Sequence, residues 1–113
     1  MKAAIIVTWT TPVPGREKQC IEYAREVDEF WGKQASEGHC SEPEWFWASR
    51  GQNYWMVKGD VEHLLMLQAT PENQRLLTKG QLLARDFGYE LCMYGRDEVL
   101  HQFENVAREL GYV

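Results

Sequence analysis

The chain lacks most of the signatures by which a sequence declares its chemistry. No apolar stretch approaches the ~20 residues that a membrane-spanning helix needs, so no membrane partner is expected. The opening Met-Lys-Ala-Ala-Ile-Ile-Val runs into Thr8, Trp9 and Pro12 without a small-residue cleavage pattern, and a cytoplasmic location is the expectation. Cationic clusters are missing as well. The 12 Lys and Arg stand against 17 Asp and Glu, a formal charge of −5, which argues against nucleic acid because phosphate neutralisation needs grouped cations.

Cysteine is sparse. Cys20, Cys40 and Cys92 are widely spaced and form no Cys-x-x-Cys pair, which argues against a disulfide framework or a zinc ribbon and leaves reduced thiols as the expectation. His39, Cys40, Glu42 and Glu44 are ligand-type residues in one loop, but they lack metal-ligand spacing, so no metal is expected there. No nucleophile elbow, phosphate-binding glycine loop, paired-carboxylate motif or dinucleotide fingerprint occurs. Hydrolysis, phosphoryl transfer and nicotinamide chemistry are disfavoured accordingly, and no cofactor is expected.

What the chain does have is aromatic surface on both sides of one hairpin. Glu44 to Arg50 reads Glu-Trp-Phe-Trp-Ala-Ser-Arg and Tyr54 to Lys58 reads Tyr-Trp-Met-Val-Lys. An antiparallel sheet wetted on one side should alternate apolar with polar, yet here Trp45 and Trp47 point one way while Phe46 and Ala48 point the other. A chain of 113 residues has helix enough to cover only one face. Leaving four or five large side chains in water forgoes ~6 to 15 kcal/mol, as much as a domain's whole net stability. A homodimer is therefore expected; the competing solution is that the chain's own terminal helix covers the second face.

The remaining punctuation defines the other elements. Ala3 to Thr10 is a β-branched strand closed by Thr-Pro-Val-Pro-Gly at 11–15. From Arg16 to Gly38, Cys20, Ala24, Val27, Trp31 and Ala35 form a helical stripe. The Trp-rich strands turn around Gly51, Gln52 and Asn53. Asp60 caps a short helix, Val61 to Gln68, and Thr70 with Pro71 opens a second, whose stripe Leu76, Gly80, Leu83 and Phe87 runs to Gly88. Tyr89 to Tyr94 is a fourth strand. Asp97 then opens a helix with Val99, Leu100, Phe103, Val106, Ala107 and Leu110 on one face, ending at Gly111. The pattern predicts one α+β domain over 1–113, a ferredoxin-like split βαβ with a four-stranded antiparallel sheet over 1–95 and an extra C-terminal helix over 96–113.

Over about residues 1 to 95 the chain resembles the dimeric α/β-barrel superfamily, which includes antibiotic-biosynthesis-type monooxygenases, haem-degrading monooxygenases and uncharacterised relatives. The resemblance rests on the first strand with its Pro14-Gly15-Arg16-Glu17 turn, the hairpin closing at Lys58-Gly59-Asp60, and the broken second helix with Thr70-Pro71-Glu72 and Leu76-Leu77. It implies a dimeric α/β barrel, with two sheets face to face and a small-molecule pocket between the helices and the sheet of each subunit. The haem-degrading members use an Asn, a Trp and a His at places where this chain has Thr8, Val57 and, in its second helix, no histidine after His63, so the resemblance points away from haem. The cofactor-free quinone-forming oxygenases need only an aromatic-lined cavity with a few polar groups.

The candidate residues follow. A three-residue hairpin loop sets Ser49 opposite Trp55 and Trp47 opposite Val57, grouping Trp45, Trp47 and Trp55 on one face; a two-residue loop reverses the grouping. Three indoles would suit a flat aromatic or polyketide-like ligand, and would equally serve as core or interface. His63, at the start of a helix, is the candidate catalytic base, against the alternative of a solvated first-turn side chain. Thr8 and Thr10 share a face of strand one and are candidate pocket residues, and Tyr89, with Tyr54 and Tyr94, is a candidate donor to a ligand oxygen. The expectation is a homodimer that binds a small apolar or aromatic molecule, as a cofactor-free monooxygenase or as a binding protein without chemistry whose aromatics serve dimer packing.

Overall fold

Local rules account for most element boundaries in the computed structural model, which describes residues 1–113. The order is β1 (Lys2–Trp9), α1 (Glu17–Ser36), β2 (Glu44–Phe46), β3 (Asn53–Asp60), α2 (Val61–Gln68), α3 (Pro71–Leu83), β4 (Gly88–Met93) and α4 (Arg96–Glu109). The Asp60 carboxylate accepts from Glu62 N at 3.0 Å, and Thr70 Oγ1 accepts from Asn73 N at 3.3 Å. Each satisfies an amide that the first helical turn leaves free. Pro71 opens α3, where its missing N–H is no loss.

The sheet runs β2-β3-β1-β4 with every pairing antiparallel. This is the ferredoxin-like split βαβ topology, an α+β arrangement. Strand alternation turns Ala3, Ile5 and Val7 of β1 and Trp55 and Val57 of β3 toward the helices. There they join Val27 and Trp31 of α1, Leu64 and Leu67 of α2 and Leu76 of α3 in one core.

Three features depart from the sequence expectation. The second helix stops at Leu83 instead of Gly88, because the chain beyond it pairs with the end of β1: Ala84 bridges Pro12, Arg85 N donates to Thr11 O at 2.7 Å, and Thr10 N donates to Arg85 O at 3.0 Å. The buried face of α1 carries Tyr23, Val27 and Trp31. It is thus rotated slightly from the Cys20–Ala24 line of the apolar stripe.

The hairpin loop is the third departure. Trp45, not Ser49, stands opposite Trp55, and β2 ends at Phe46, so residues 47–52 form the connection. Asn53, 6% exposed, explains the longer loop: its Oδ1 accepts from Ala48 N at 2.7 Å while its Nδ2 donates to Thr10 O at 3.0 Å. A buried amide with both ends satisfied fixes register more firmly than the turn residues do. Trp47 consequently leaves the sheet and is 83% exposed.

The other side of the sheet presents Ile6 and Thr8 of β1, Tyr54, Met56 and Lys58 of β3, and Cys92 of β4, all outside the core cluster. Phe46 stacks on Tyr54 at 4.6 Å along its edge. The terminal helix does not seal this side. No residue of α4 is buried, and α4 packs extensively against none of the other elements. The molecule reaches 52 Å along its longest axis, with a radius of gyration of 16.1 Å; a compact chain of this length would have about 13 Å. No helix is long and apolar enough to cross a membrane.

Candidate functional site

One level of the sheet carries a row of side chains toward the helices. Tyr89 pairs with Val7, Val7 with Trp55, and Trp55 with Trp45, so three strands beyond β1 contribute an aromatic each. Over this row lie Cys20, Tyr23 and Ala24 of α1 and Gly80 and Leu83 of α3. Between the layers is an apolar cavity of about 90 Å³, also walled by Trp9 and Phe87.

Gly80 lets two aromatics close on α3 at the cavity wall. A Cβ at that position would collide with the Phe87 ring and lie 2.7 Å from the Tyr23 hydroxyl oxygen. Glycine costs a helix interior roughly 0.5–1 kcal/mol relative to alanine, and here the close approach of two aromatics explains its presence. Phe87 reaches the site because α3 ends early and the following turn, with Asp86 at φ 53°, folds the chain back.

Trp45 forms the wall between cavity and solvent. It is 39% exposed and sits on the three-residue edge strand. Its indole N–H donates to Asp28 Oδ1 at 2.7 Å, which ties it to α1. Trp9 meets it edge-on at 5.8 Å, and Trp55 lies 5.9 Å away, tilted by 39°. A cavity of about 150 Å³ is what admits benzene in an engineered core, so a flat ring enters here only if a wall yields. An edge-strand indole held by a single hydrogen bond is the wall with least to restrain it.

The polar groups of the cavity are few and uncharged. Burial raises the Cys20 thiol, with Glu17 adding to the effect, and its Sγ–H donates to Leu83 O at 3.2 Å. Burial likewise holds the Tyr23 phenol above the usual tyrosine range, reinforced by Glu26 and by Cys20. Near neutral pH both are protonated hydrogen-bond donors, and neither is a base.

The sequence candidates divide accordingly. Trp45 and Trp55 line the cavity; Trp47 does not. Tyr89 faces the same side of the sheet but is not a lining residue. Its hydroxyl is buried without a hydrogen-bond partner, and burial pushes its pKa up to about 12, with Asn73 close enough to oppose the shift. Thr8 and Thr10 are elsewhere. Thr8 lies on the open side against Gly88, and Thr10 Oγ1 donates to Asp86 Oδ2 at 2.8 Å, holding the turn after α3.

His63 is exposed in the first turn of α2, with its ring 5.8 Å from that of His39. That turn follows Asp60, which pairs with Lys2 at the end of β1 remote from Val7 and Trp9. The candidate base and the cavity are therefore at opposite ends of the sheet. No group of three His, Cys, Asp or Glu side chains converges as a metal site.

Tyr23 and Cys20 escaped the sequence reading as site residues. Tyr23 sits beside the stripe position Ala24, and Cys20 reads as a small hydrophobe. The glycine within the α3 stripe was the signal available, since a helical glycine often marks a close approach.

No protein-family model matches the chain, and no curated protein matches it in sequence. Solved structures do. Rv0793 from Mycobacterium tuberculosis superposes with a TM-score of 0.63 at 14% identity, over 85% of this chain and 97% of its own. A protein of unknown function from Jannaschia sp. CCS1, described as dimeric and ferredoxin-like, gives 0.65 at 10% identity over 83% of this chain and 100% of its own. The chain has a ferredoxin-like fold. A third neighbour, from Chloroflexus aurantiacus J-10-fl, carries the provisional name of antibiotic biosynthesis monooxygenase and gives 0.56 at 11% identity, over 85% and 95% of the two chains. The share of this chain left uncovered is about the length of α4 and the residues after it.

Proposed function

We propose that this protein is a homodimer that binds a small, flat, largely apolar molecule in the cavity between α1, α3 and the sheet. The observation that carries the reading is the cavity itself, walled by Trp9, Trp45 and Trp55 and furnished with one neutral hydroxyl donor, Tyr23, the Cys20 S–H being taken by Leu83 O. Indole faces favour stacked rings, and a buried hydroxyl donor favours a ligand with one oxygen acceptor. The dimer is supported by the side of the sheet that the helices leave open, with Ile6, Phe46, Tyr54 and Met56 on it, and by the description of similarly folded neighbours as dimeric.

Titration with 2-naphthol, followed by tryptophan fluorescence, tests the binding. Saturable quenching is expected in the wild type and lost in Ala24→Leu, whose side chain fills the cavity, while Trp45→Ala admits larger rings. Quenching that does not saturate, or that survives Ala24→Leu unchanged, overturns the reading.

A second reading is oxygenation of the bound molecule without a cofactor, favoured by the provisional monooxygenase names of two neighbours. In that case the Tyr23 hydroxyl would donate to the substrate's phenolate oxygen, and the indoles would hold its ring. His63 would take no direct part, since it does not line the cavity. Oxygen uptake above the uncatalysed rate with a reduced polycyclic phenol, abolished in Tyr23→Phe, is the discriminating result.

A further inference from the structure

The terminal helix is an amphipathic element without a partner in its own chain. Val99, Leu100, Phe103, Val106 and Leu110 recur at helical spacing, and their exposures run from 41 to 74%. The opposite side carries His101, Gln102, Glu104, Asn105 and Arg108. A face so cleanly sorted is the pattern of a helix that packs on something. Isolated helices of ~12–15 residues are marginal in water, and the 14 residues of α4 have neither a side-chain cap at Gly95 nor a buried contact to hold them.

We infer that α4 docks its apolar stripe on a second copy of this chain, as an arm exchanged between the two protomers. The inference rests on the homodimer reading and specifies what α4 does within it. Three observations favour a second copy over another protein. The same chain offers a second surface without cover, the open side of the sheet, where half-buried Ile6 and Met56 and the Phe46–Tyr54 stack lie among Glu44, Lys58 and Glu90, so two copies can meet there about a two-fold axis with apolar contact at the centre and opposite charges available around it. The arm leaves from β4, one of the two edge strands of that sheet, so contact through the open side at that edge is continuous with α4. Its length of about 21 Å exceeds the ~10 Å that separates two packed sheets, so it can reach past the partner's sheet plane.

The test compares full-length wild type, Phe103→Glu on the apolar stripe and His101→Glu on the polar side by sedimentation equilibrium. Hydrogen exchange of the α4 amides is followed across a dilution series. Phe103→Glu is expected to weaken self-association roughly tenfold or more, with near-ultraviolet circular dichroism of the tryptophans unchanged, and His101→Glu to associate like wild type. The α4 amides should be protected in the dimer and exchange freely once it dissociates. A dimer that Phe103→Glu does not weaken, or α4 amides that exchange freely within it, overturns the arm and leaves the homodimer standing. A wild type that stays at 13.2 kDa at every concentration overturns the homodimer itself.

Discussion

Helices α1 and α4 are similar in sequence logic and opposite in fate. Both carry apolar residues at helical spacing with charge on the other side, and both follow a strand of the same sheet. α1 buries Tyr23, Val27 and Trp31, the last two fully; α4 buries nothing. The difference lies in topology. The connection from β1 crosses back over the sheet and sets α1 on its helix side, next to α3, where Lys79 Nζ holds Glu26 Oε1 at 2.8 Å. α4 instead leaves from the edge strand β4 and does not cross back over the helix side. Amphipathicity thus states that a face needs cover, and only the path of the chain says whether the chain itself supplies it.

The sharpest way to break this comparison is to truncate one side chain in each helix. Trp31→Ala should destabilise the fold by about 3–5 kcal/mol in urea unfolding, as large aromatic deletions from a core do. Phe103→Ala, measured where the chain is dissociated, should change stability by no more than about 0.5 kcal/mol, as at an exposed site. Equal effects from the two would mean that α4 is part of the folded core after all.

Next in size is a charge on the open side of the sheet. Met56→Arg puts a long charged side chain in the apolar middle of the open side, where association would bury it, and should weaken association at least about tenfold, with the unfolding midpoint of the dissociated chain unchanged. Light scattering after size exclusion measures it, and a variant that remains dimeric would mean that this side of the sheet is not the interface.

The smallest effect expected is alkaline. Burial, with Glu42 adding to it, pushes the Cys40 thiol up to about 11, and burial pushes Tyr89 up to about 12. Both groups keep their protons in the folded state at a pH where the unfolded chain has lost them. Their contribution is therefore fully present below about pH 9 and declines as the pH rises toward 12. Urea midpoints at pH 8 and pH 11 should differ in that direction in wild type, and by less in Tyr89→Phe.

Particular residues show where sequence reading succeeds and where it stops. Asp60, Thr70 and Pro71 mark their helix starts because a cap acts on amides two or three residues away. The alternation in β1 and β3 finds the core for the same reason. Trp47 misleads, because its place was set by Asn53, whose partners at Ala48 and Thr10 are brought together only by the folded sheet. His63 misleads too: helix and strand order said that it was near the sheet, and register decided which end. Tyr23 and Gly80 gained meaning only when α1 and α3 were laid side by side.

Local chemistry alone thus determined the ferredoxin-like order of elements, the caps, and the surplus of apolar surface, since each depends on neighbours a few residues apart. Which indoles meet, whether a cavity remains between them, and that α4 finds no seat on its own chain were decided by tertiary packing, because those outcomes depend on contacts between residues that only register and chain path bring together.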